Sequence, residues 1–261
     1  MSEKKYEFIK VEAQDRVLVV TINRPESFNS LHPAANLEMG DAFDDFAVND
    51  DQWVAIVTGA GEKAFSAGND LKWTAQNQGK LEIPPRGFGG LTNRFDLDKP
   101  VVAAVNGVAL GGGFEIALAC DIILASSNAR FGLPEPRVGL AALAGGMHRL
   151  PRQIGLKNAM GMMLTGRHVD AAEAFRLGIA QEVVEPAQLM ERAMAWAGEI
   201  AACAPLSVRA TKQVAMQSLG RPLEDAARAK YPAVEKLFKS EDFVEGPRAF
   251  AEKRKPNWKG R

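Results

Sequence analysis

Residue types that often reveal a protein's class are scarce in this sequence of 261 residues. The two cysteines, Cys120 and Cys203, lie in apolar stretches and form no pattern, which favours core packing in a reducing compartment over a structural disulfide. The three histidines, His32, His148 and His168, are isolated and lack metal-ligand spacing. These absences argue against a disulfide scaffold and against a metal site.

Net charge and long apolar runs are lacking as well. Lys+Arg and Asp+Glu both number 32, so no overall field exists to attract nucleic acid or a membrane surface. No uninterrupted apolar run approaches the roughly 20 residues of a membrane span. The N-terminal stretch MSEKKYEFIKVEAQ has no apolar segment typical of a secretory signal. We therefore expect a cytoplasmic protein without a nucleic-acid or membrane partner.

Hydrophobic patterning predicts an α/β protein. Short β-branched runs bounded by turn residues indicate buried strands at residues 17–23, 53–59, 100–105, 121–126 and 179–184. Helical spacing covers residues 33–48, and helical patterns dominate after Pro186. Strands that alternate with helices indicate a largely parallel sheet. We divide the chain into an α/β core, residues 1–178, and a mainly helical region, residues 179–261.

Residues 74–93 differ from the rest of the predicted core. They contain Gln, Asn, a Pro-Pro pair and several glycines, a composition typical of an exposed connection. The segment stands just before a predicted strand. We expect it to be an exposed loop that covers a substrate.

Two loops follow buried strands, at the edge where α/β sheets place ligands. AFSAGND at residues 64–70 follows the strand at 53–59, and LGGGFE at residues 110–115 leads into a short helix at 114–120. Three glycines allow close approach of the backbone, and a helix N-terminus offers unpaired N–H groups. Two such N–H groups can stabilise a developing oxyanion. Tight helix–sheet packing explains the glycines equally well.

Two glutamates are candidates for acid/base chemistry. Glu115 lies in the first turn of an apolar helix, where compensation of the helix dipole is its alternative role. Glu135 stands between Pro134 and Pro136 on a segment expected to be rigid and non-helical, where a solvated loop residue is the alternative. Addition of water requires one proton to be removed and another delivered, which two carboxyl groups can do.

Together these motifs resemble the enoyl-CoA hydratase/isomerase (crotonase) superfamily. The similarity extends from NRPESFNSL through residues 64–71, DKPVVAAVNGVALGGGFEIALACDIILAS and FGLPE to AFAEKRKPNWKGR. It implies the α/β crotonase (ClpP-like) spiral of repeated ββα units with a helical C-terminal region. The implied enzyme is a hydro-lyase that adds water reversibly to a 2-enoyl-CoA, giving a 3-hydroxyacyl-CoA. No tightly bound cofactor is implied, since coenzyme A is part of the thioester substrate.

The resemblance also implies roles for individual residues. Glu115 and Glu135 match the catalytic pair, and Ala67 and Gly112 match the two oxyanion-hole positions. The matched CoA-binding positions are Phe28, Ala67, Asp70, Phe250 and Lys253. We place Trp73, Phe114 and Leu143 at the acyl pocket. Leu143 replaces a glycine that hydratases usually have there.

The resemblance also implies an assembly and leaves other activities open. Family members are homotrimers or dimers of trimers, in which Phe250 and Lys253 approach a neighbouring subunit's CoA. A double-bond isomerase of the same superfamily is one alternative, and a non-catalytic CoA-binding or RNA-binding homologue is another. Two glutamates favour hydration, and the zero net charge disfavours RNA.

Within the superfamily, three stretches most resemble the carnitinyl-CoA dehydratase (crotonobetainyl-CoA hydratase) branch. They are GFGGLTNRFDLDKPVVAAVNG, GGGFEIALACD and EGPRAFAEKRKPNWKGR. The substrate of that branch has an acyl group with a trimethylammonium, a cation that the faces of aromatic rings attract. Candidates to face this cation are Trp73, Phe88, Phe95 and Phe114, with ordinary packing as the alternative for each.

Overall fold

The protein is described here by a computed structural model of residues 4–78 and 84–261. Its described strands are β1 (Ile9–Gln14), β2 (Val17–Ile22), β3 (Val54–Gly59), β4 (Ala64–Ser66), β5 (Val101–Val105), β6 (Val108–Leu110), β7 (Ile122–Ser126), β8 (Arg130–Gly132), β9 (His168–Asp170) and β10 (Glu182–Val184). Its described helices are α1 (Pro33–Val48), α2 (Leu71–Gln76), α3 (Gly112–Ala119), α4 (Gly146–Ile154), α5 (Leu156–Thr165), α6 (Ala171–Leu177), α7 (Leu189–Ala201), α8 (Pro205–Ser218), α9 (Leu223–Arg228), α10 (Pro232–Phe238) and α11 (Glu241–Ala251).

The strands form two sheets that the chain visits in turn. One sheet has the order β1-β2-β3-β5-β7-β10 and the other has the order β4-β6-β8-β9. The β1–β2 and β8–β9 pairs are antiparallel, and every other described pairing is parallel. A strand of the first sheet, a strand of the second and a helix follow one another three times among the described elements, as β3-β4-α2, β5-β6-α3 and β7-β8-α4. This arrangement agrees with the predicted spiral of ββα units.

The central strands of the six-stranded sheet are buried on both faces, which explains their continuous apolar runs. Alternate residues such as Val57 and Ala103 face a core that also contains Phe43 of α1. The intervening residues, including Ile56, face α7, where they pack against the small side chain of Ala193. Because α7 covers this sheet and β10 pairs with β7, the chain after residue 178 packs directly on the sheet. The proposed division of the chain at residue 178 stays a prediction.

The sequence places most elements within a few residues of their observed bounds. The segment 74–93 is different, since residues 88–92 are buried and not exposed as predicted. Here the glycines serve close packing: a Cβ on Gly89 would lie 2.4 Å from Ile116, and one on Gly90 would lie 2.6 Å from the backbone of Gly40. The part of the predicted loop at residues 79–83 lies outside the described residues.

Candidate active site

The two predicted oxyanion loops lie against each other. The Cβ that Gly113 lacks would stand 2.0 Å from the carbonyl oxygen of Ser66. A Cβ on Gly68 would stand 2.7 Å from the nitrogen of Gly112. Only residues without a side chain allow backbones to approach this closely. The glycines therefore join the β4–α2 loop to the N-terminus of α3.

The backbone donors of the first loop are mostly occupied. The N–H of Ala67 donates to the Phe28 carbonyl oxygen at 2.9 Å, and the N–H of Gly68 donates to Ser66 Oγ at 3.1 Å. The N–H of Leu31 donates to the carbonyl oxygen of Gly68, and the carbonyl oxygen of Leu31 accepts from the N–H of Asp70. Within residues 4–78 and 84–261, the N–H of Asn69 has no protein acceptor. The available donor of this loop is therefore that of Asn69, two residues beyond the predicted Ala67.

Gly112 supplies the second available donor. It is the first residue of α3, so no helical carbonyl lies one turn earlier to accept from its N–H. The ring of Phe88 covers this position, since a Cβ on Gly112 would lie 2.5 Å from a ring carbon. The predicted role of Gly112 is compatible with this geometry.

A buried turn that sequence analysis did not single out holds the first loop in place. Asn29 is fully buried, and its side chain accepts from Arg24 N and donates to the carbonyls of Ala60 and Ala64, at 2.7–2.9 Å. Its own carbonyl accepts from Ser66 Oγ at 2.8 Å. Asn29 lies within the motif NRPESFNSL, so the sequence signal was present, but the partners become adjacent only in the fold.

Glu115 lies in the first two turns of α3 and is 3% exposed. Its Oε1 accepts a hydrogen bond from the N–H of Gly146 at 2.8 Å. Burial raises the pKa of Glu115 to about 7, and the charge of Glu135 adds to the rise. The N–H groups of Gly146 and Ala144 and the guanidinium of Arg149 act in the opposite direction. Glu115 therefore changes its protonation state near neutral pH.

Glu135 is 9% exposed and begins the 3₁₀ turn Glu135–Val138, where a non-helical segment was predicted. Pro136 fits this turn because the first N–H groups of a helix have no helical acceptor. The Oε1 atom lies 3.1 Å from the Cβ position that Gly111 leaves empty. Oε2 is buried and has no partner among the described residues. Burial raises the pKa of Glu135, which favours a protonated carboxyl.

The predicted CoA-binding residues of the first loop lie close together. Asp70 forms a largely buried ion pair with Arg24 at 3.1 Å, and its Oδ1 caps α2 by accepting from the N–H of Trp73 at 3.1 Å. Burial alone would raise the pKa of Asp70, but these two donors outweigh it and lower the pKa. Phe28 is 49% exposed beside them, with its backbone in the left-handed region at φ 54°.

The predicted acyl-pocket residues have different environments. Phe114 is fully buried and packs on Phe131, with ring centroids 5.4 Å apart, so its ring is part of the hydrophobic core. Leu143 is exposed and lines a cleft of about 700 Å³ together with Leu91 and Phe95. This cleft opens beside the turn that holds Glu115.

The predicted C-terminal CoA contacts are on the surface of the single chain. Phe250 is 87% exposed on α11, and Lys253 follows the helix with φ 55°. The last residues fold back onto α11, where Asp242 accepts from the N–H groups of Lys259 and Gly260 at 2.6 and 2.8 Å. The single chain brings neither Phe250 nor Lys253 into a buried site.

In residues 4–78 and 84–261, no three His, Cys, Asp or Glu side chains cluster so that they could bind a metal ion. No helix in this part of the chain has the length and apolarity needed to cross a membrane.

The fold and the two carboxyl groups beside free backbone donors define a crotonase-type site. The family model described as enoyl-CoA hydratase/isomerase matches residues 12–261, so the chain belongs to that family. This confirms the predicted family.

Relatives and solved structures agree with this assignment. A carnitinyl-CoA dehydratase from Escherichia coli (strain K12) is 45% identical over 253 residues, covering 94% of this chain and 95% of that protein. One from Citrobacter koseri is 44% identical with the same coverage. The crystal structure of an enoyl-CoA hydratase from Mycobacterium tuberculosis H37Rv superposes with a TM-score of 0.91 at 40% identity, covering 97% of this chain and 99% of that one. The predicted crotonase fold is confirmed.

Proposed function

We propose that this protein adds water reversibly across the 2,3-double bond of an enoyl-CoA thioester, giving a 3-hydroxyacyl-CoA. The predicted enzyme class, a hydro-lyase acting on CoA thioesters, is confirmed by the family and by the names of its relatives. The observation that carries the mechanism is the pair of buried glutamates, Glu115 and Glu135, at one glycine loop.

The two glutamates differ in the protonation state that their surroundings support. Glu115 accepts a backbone hydrogen bond from Gly146, and the nearby Arg149 charge favours its ionised form. It is suited to remove a proton from water as the oxygen attacks C3. Glu135 has a buried Oε2 that receives no hydrogen bond from residues 4–78 or 84–261 and so gains no such support as an anion. It is suited to deliver a proton to C2.

The thioester oxygen gains negative charge while C2 awaits its proton. We assign its stabilisation to the N–H groups of Asn69 and Gly112, because the N–H of Ala67 is already bonded to Phe28. Loss of one such donor costs on the order of 3–4 kcal/mol in other enzymes, so this pair is a main source of rate enhancement. Ala67 keeps a role as the residue that anchors the loop to residues 28–31.

The mechanism is tested by converting each carboxyl group to an amide. Glu115→Gln and Glu135→Gln should each lower kcat for hydration of crotonyl-CoA by roughly 10²–10⁴, the scale for removal of a positioned acid or base. Loss of the ultraviolet absorbance of the conjugated enoyl thioester measures hydration, and circular dichroism checks folding. Retention of near-wild-type hydration by Glu135→Gln would contradict the two-carboxylate mechanism.

Binding of CoA and assembly remain proposals that follow from family membership. Phe28, Asp70 and the loop around Ala67 are proposed to contact CoA, and Phe250 and Lys253 are proposed to close the site of a neighbouring subunit. A homotrimer or dimer of trimers is supported by the exposed apolar side chains of α10 and α11, such as Phe238 and Phe243. A cytoplasmic location and the absence of a tightly bound cofactor also stay predictions.

For the acyl group, we propose crotonobetainyl-CoA, the dehydrated form of carnitinyl-CoA. The names of relatives at 44–45% identity support it. Trp73 is the leading aromatic, since it lies partly buried next to Asp70 at the start of α2. Phe95 already faces the guanidinium of Arg149 at 5.7 Å, and Phe114 lies in the core.

The substrate proposal is tested with a panel of thioesters. Crotonobetainyl-CoA should exceed crotonyl-CoA in kcat/KM by about tenfold or more, as a cation–π gain of ~1.4 kcal/mol implies. Trp73→Leu should remove the preference and leave crotonyl-CoA turnover in place, whereas Phe95→Leu serves as the matched comparison and should keep it. Equal kcat/KM values for both thioesters would contradict the proposal and leave a short-chain enoyl-CoA hydratase.

A further inference from the structure

Arg149 lies on α4, and its guanidinium folds back over the turn that holds Glu115. A Cβ on Gly145 would stand 2.1 Å from Nη1, so the guanidinium takes this position only because residue 145 is a glycine, here with φ 105°. The backbone of this turn places the Gly146 N–H 2.8 Å from Glu115 Oε1. Arg149 therefore packs directly on the backbone that orients Glu115.

The same guanidinium reaches the segment on the other side of the site. Its Nη2 donates to the carbonyl oxygen of Thr92 at 2.9 Å. Thr92 Oγ1 in turn accepts from the N–H of Phe88 at 2.8 Å, and the Phe88 ring covers Gly112. Arg149 thus links the turn beside Glu115 to the segment that covers the oxyanion donor.

Two titratable side chains lie close enough to influence the ionisation of Glu115. Glu135 approaches it from the 3₁₀ turn, and Arg149 approaches it from α4. Cys120, at the end of α3, is buried with a raised pKa, so its thiol stays neutral. On α4 itself, His148 and Arg152 are exposed. The cleft that Arg149 lines also has charged side chains from other elements, namely Arg94, Asp96, Asp98, Asp121 and Lys212. The segments β4, β6 and 88–90, which also pack on α3, contain no titratable residue.

We propose that Arg149 is a positioning residue for hydration: it fixes the turn that hydrogen-bonds Glu115, and its positive charge favours the carboxylate that accepts the proton of water. The guanidinium bonds a carbonyl oxygen, so its charge remains available to Glu115. Burial lowers the pKa of Arg149, and proximity to Glu115 counteracts this effect. The inference rests on the proposed hydration mechanism.

The test is the pH dependence of kcat/KM for crotonyl-CoA. Glu115 must be ionised to act as base, so activity rises with pH through its pKa. Arg149→Met and Arg149→Gln both remove the positive charge and should move this midpoint to higher pH, by about half a unit or more. The amide of Gln can still donate to Thr92. Arg149→Lys retains the charge and should keep the midpoint, while kcat falls because an ammonium cannot reproduce the planar contact with the turn.

Arg152 provides a matched control on the same helix. It is exposed and donates to the carbonyl of His148, so Arg152→Met removes one charge from α4 and should leave the midpoint unchanged. An unchanged midpoint in both Arg149→Met and Arg149→Gln, with an active enzyme, would overturn this inference alone. Failure of the unsubstituted protein to hydrate any enoyl-CoA would overturn the proposed function and this inference with it.

Discussion

Glu115 and Glu135 are both buried, yet their hydrogen bonds differ. The N–H of Gly146 donates to Oε1 of Glu115, whereas Oε2 of Glu135 has no partner among the described residues. A buried acceptor without a donor costs about 1–3 kcal/mol, which protonation relieves. This difference in environment, without any difference in residue type, is the basis for the proposed roles of Glu115 as proton acceptor and Glu135 as proton donor.

The raised pKa of Glu115 makes folding stability depend on pH. The unfolded chain releases this proton near pH 4.3, the usual value for Glu, whereas the folded protein keeps it to about 7. The folded state thus binds more protons between these values, so stability falls as pH rises through this window. Glu115→Gln removes the titration, and its stability relative to wild type should increase by about 1–3 kcal/mol between pH 5 and 8.

This difference is measured by urea unfolding at fixed protein concentration across the pH range. Glu12→Gln, at an exposed glutamate on β1, serves as the control for loss of a carboxyl group away from the site. A pH-independent difference between Glu115→Gln and wild type would contradict the raised pKa of Glu115.

Two neighbouring residues near the site have backbone conformations that are unusual for residues other than glycine. Phe28 and Asn29 both have φ 54°, a conformation that costs a bulky residue about 1–3 kcal/mol. Hydrogen bonds from the buried Asn29 side chain and to the Phe28 carbonyl offset this cost. The strained turn thereby orients the loop that presents the Asn69 N–H.

At the level of elements, the site depends on how closely α3 approaches the β4–α2 loop. Gly113→Ala would place a Cβ 2.0 Å from the Ser66 carbonyl oxygen, and since this is backbone, the two segments must separate. We expect kcat to fall at least tenfold and the free energy of unfolding to fall by about 1–3 kcal/mol. Steady-state kinetics and thermal unfolding measure the two effects.

Gly198→Ala is the matched control, since residue 198 is exposed within α7 and an added Cβ meets nothing within 4 Å. Alanine should stabilise this helix by up to about 1 kcal/mol and leave kcat unchanged. Wild-type kcat in Gly113→Ala would show that the spacing of the two loops does not matter for catalysis.

For the whole molecule, the question is which surfaces another subunit covers. Phe250 is 87% exposed, so Phe250→Ala should not affect folding of the single chain. If a neighbouring CoA contacts it, its removal should weaken CoA binding about tenfold or more, equivalent to at least ~1.4 kcal/mol. Calorimetry measures the affinity, and light scattering measures the oligomeric state of the same samples.

Val48→Ala, at the end of α1, tests whether any exposed apolar side chain has this effect. Val48 is 79% exposed and belongs to neither α11 nor the proposed site. It should leave CoA binding unchanged. Unaltered binding in Phe250→Ala would remove Phe250 from the CoA site.

The sequence by itself determined the α/β class, the positions of the main strands and α1, and the two glycine loops with their glutamates. These features depend on local periodicity, on turn residues and on motifs of contiguous residues. The buried runs of β3 and β5 and the helix at 33–48 needed no tertiary information.

The tertiary structure decided which groups are free to act. Ala67 follows the motif, but its N–H donates to Phe28, which lies 39 positions earlier, whereas the N–H of Asn69 has no acceptor among the described residues. The position of Phe114 beside Glu115 suggested an aromatic ring at the acyl pocket, but α3 directs this ring into the core, against Phe131. Hydrogen-bond pairing and burial arise between segments distant in sequence, and no local pattern records them.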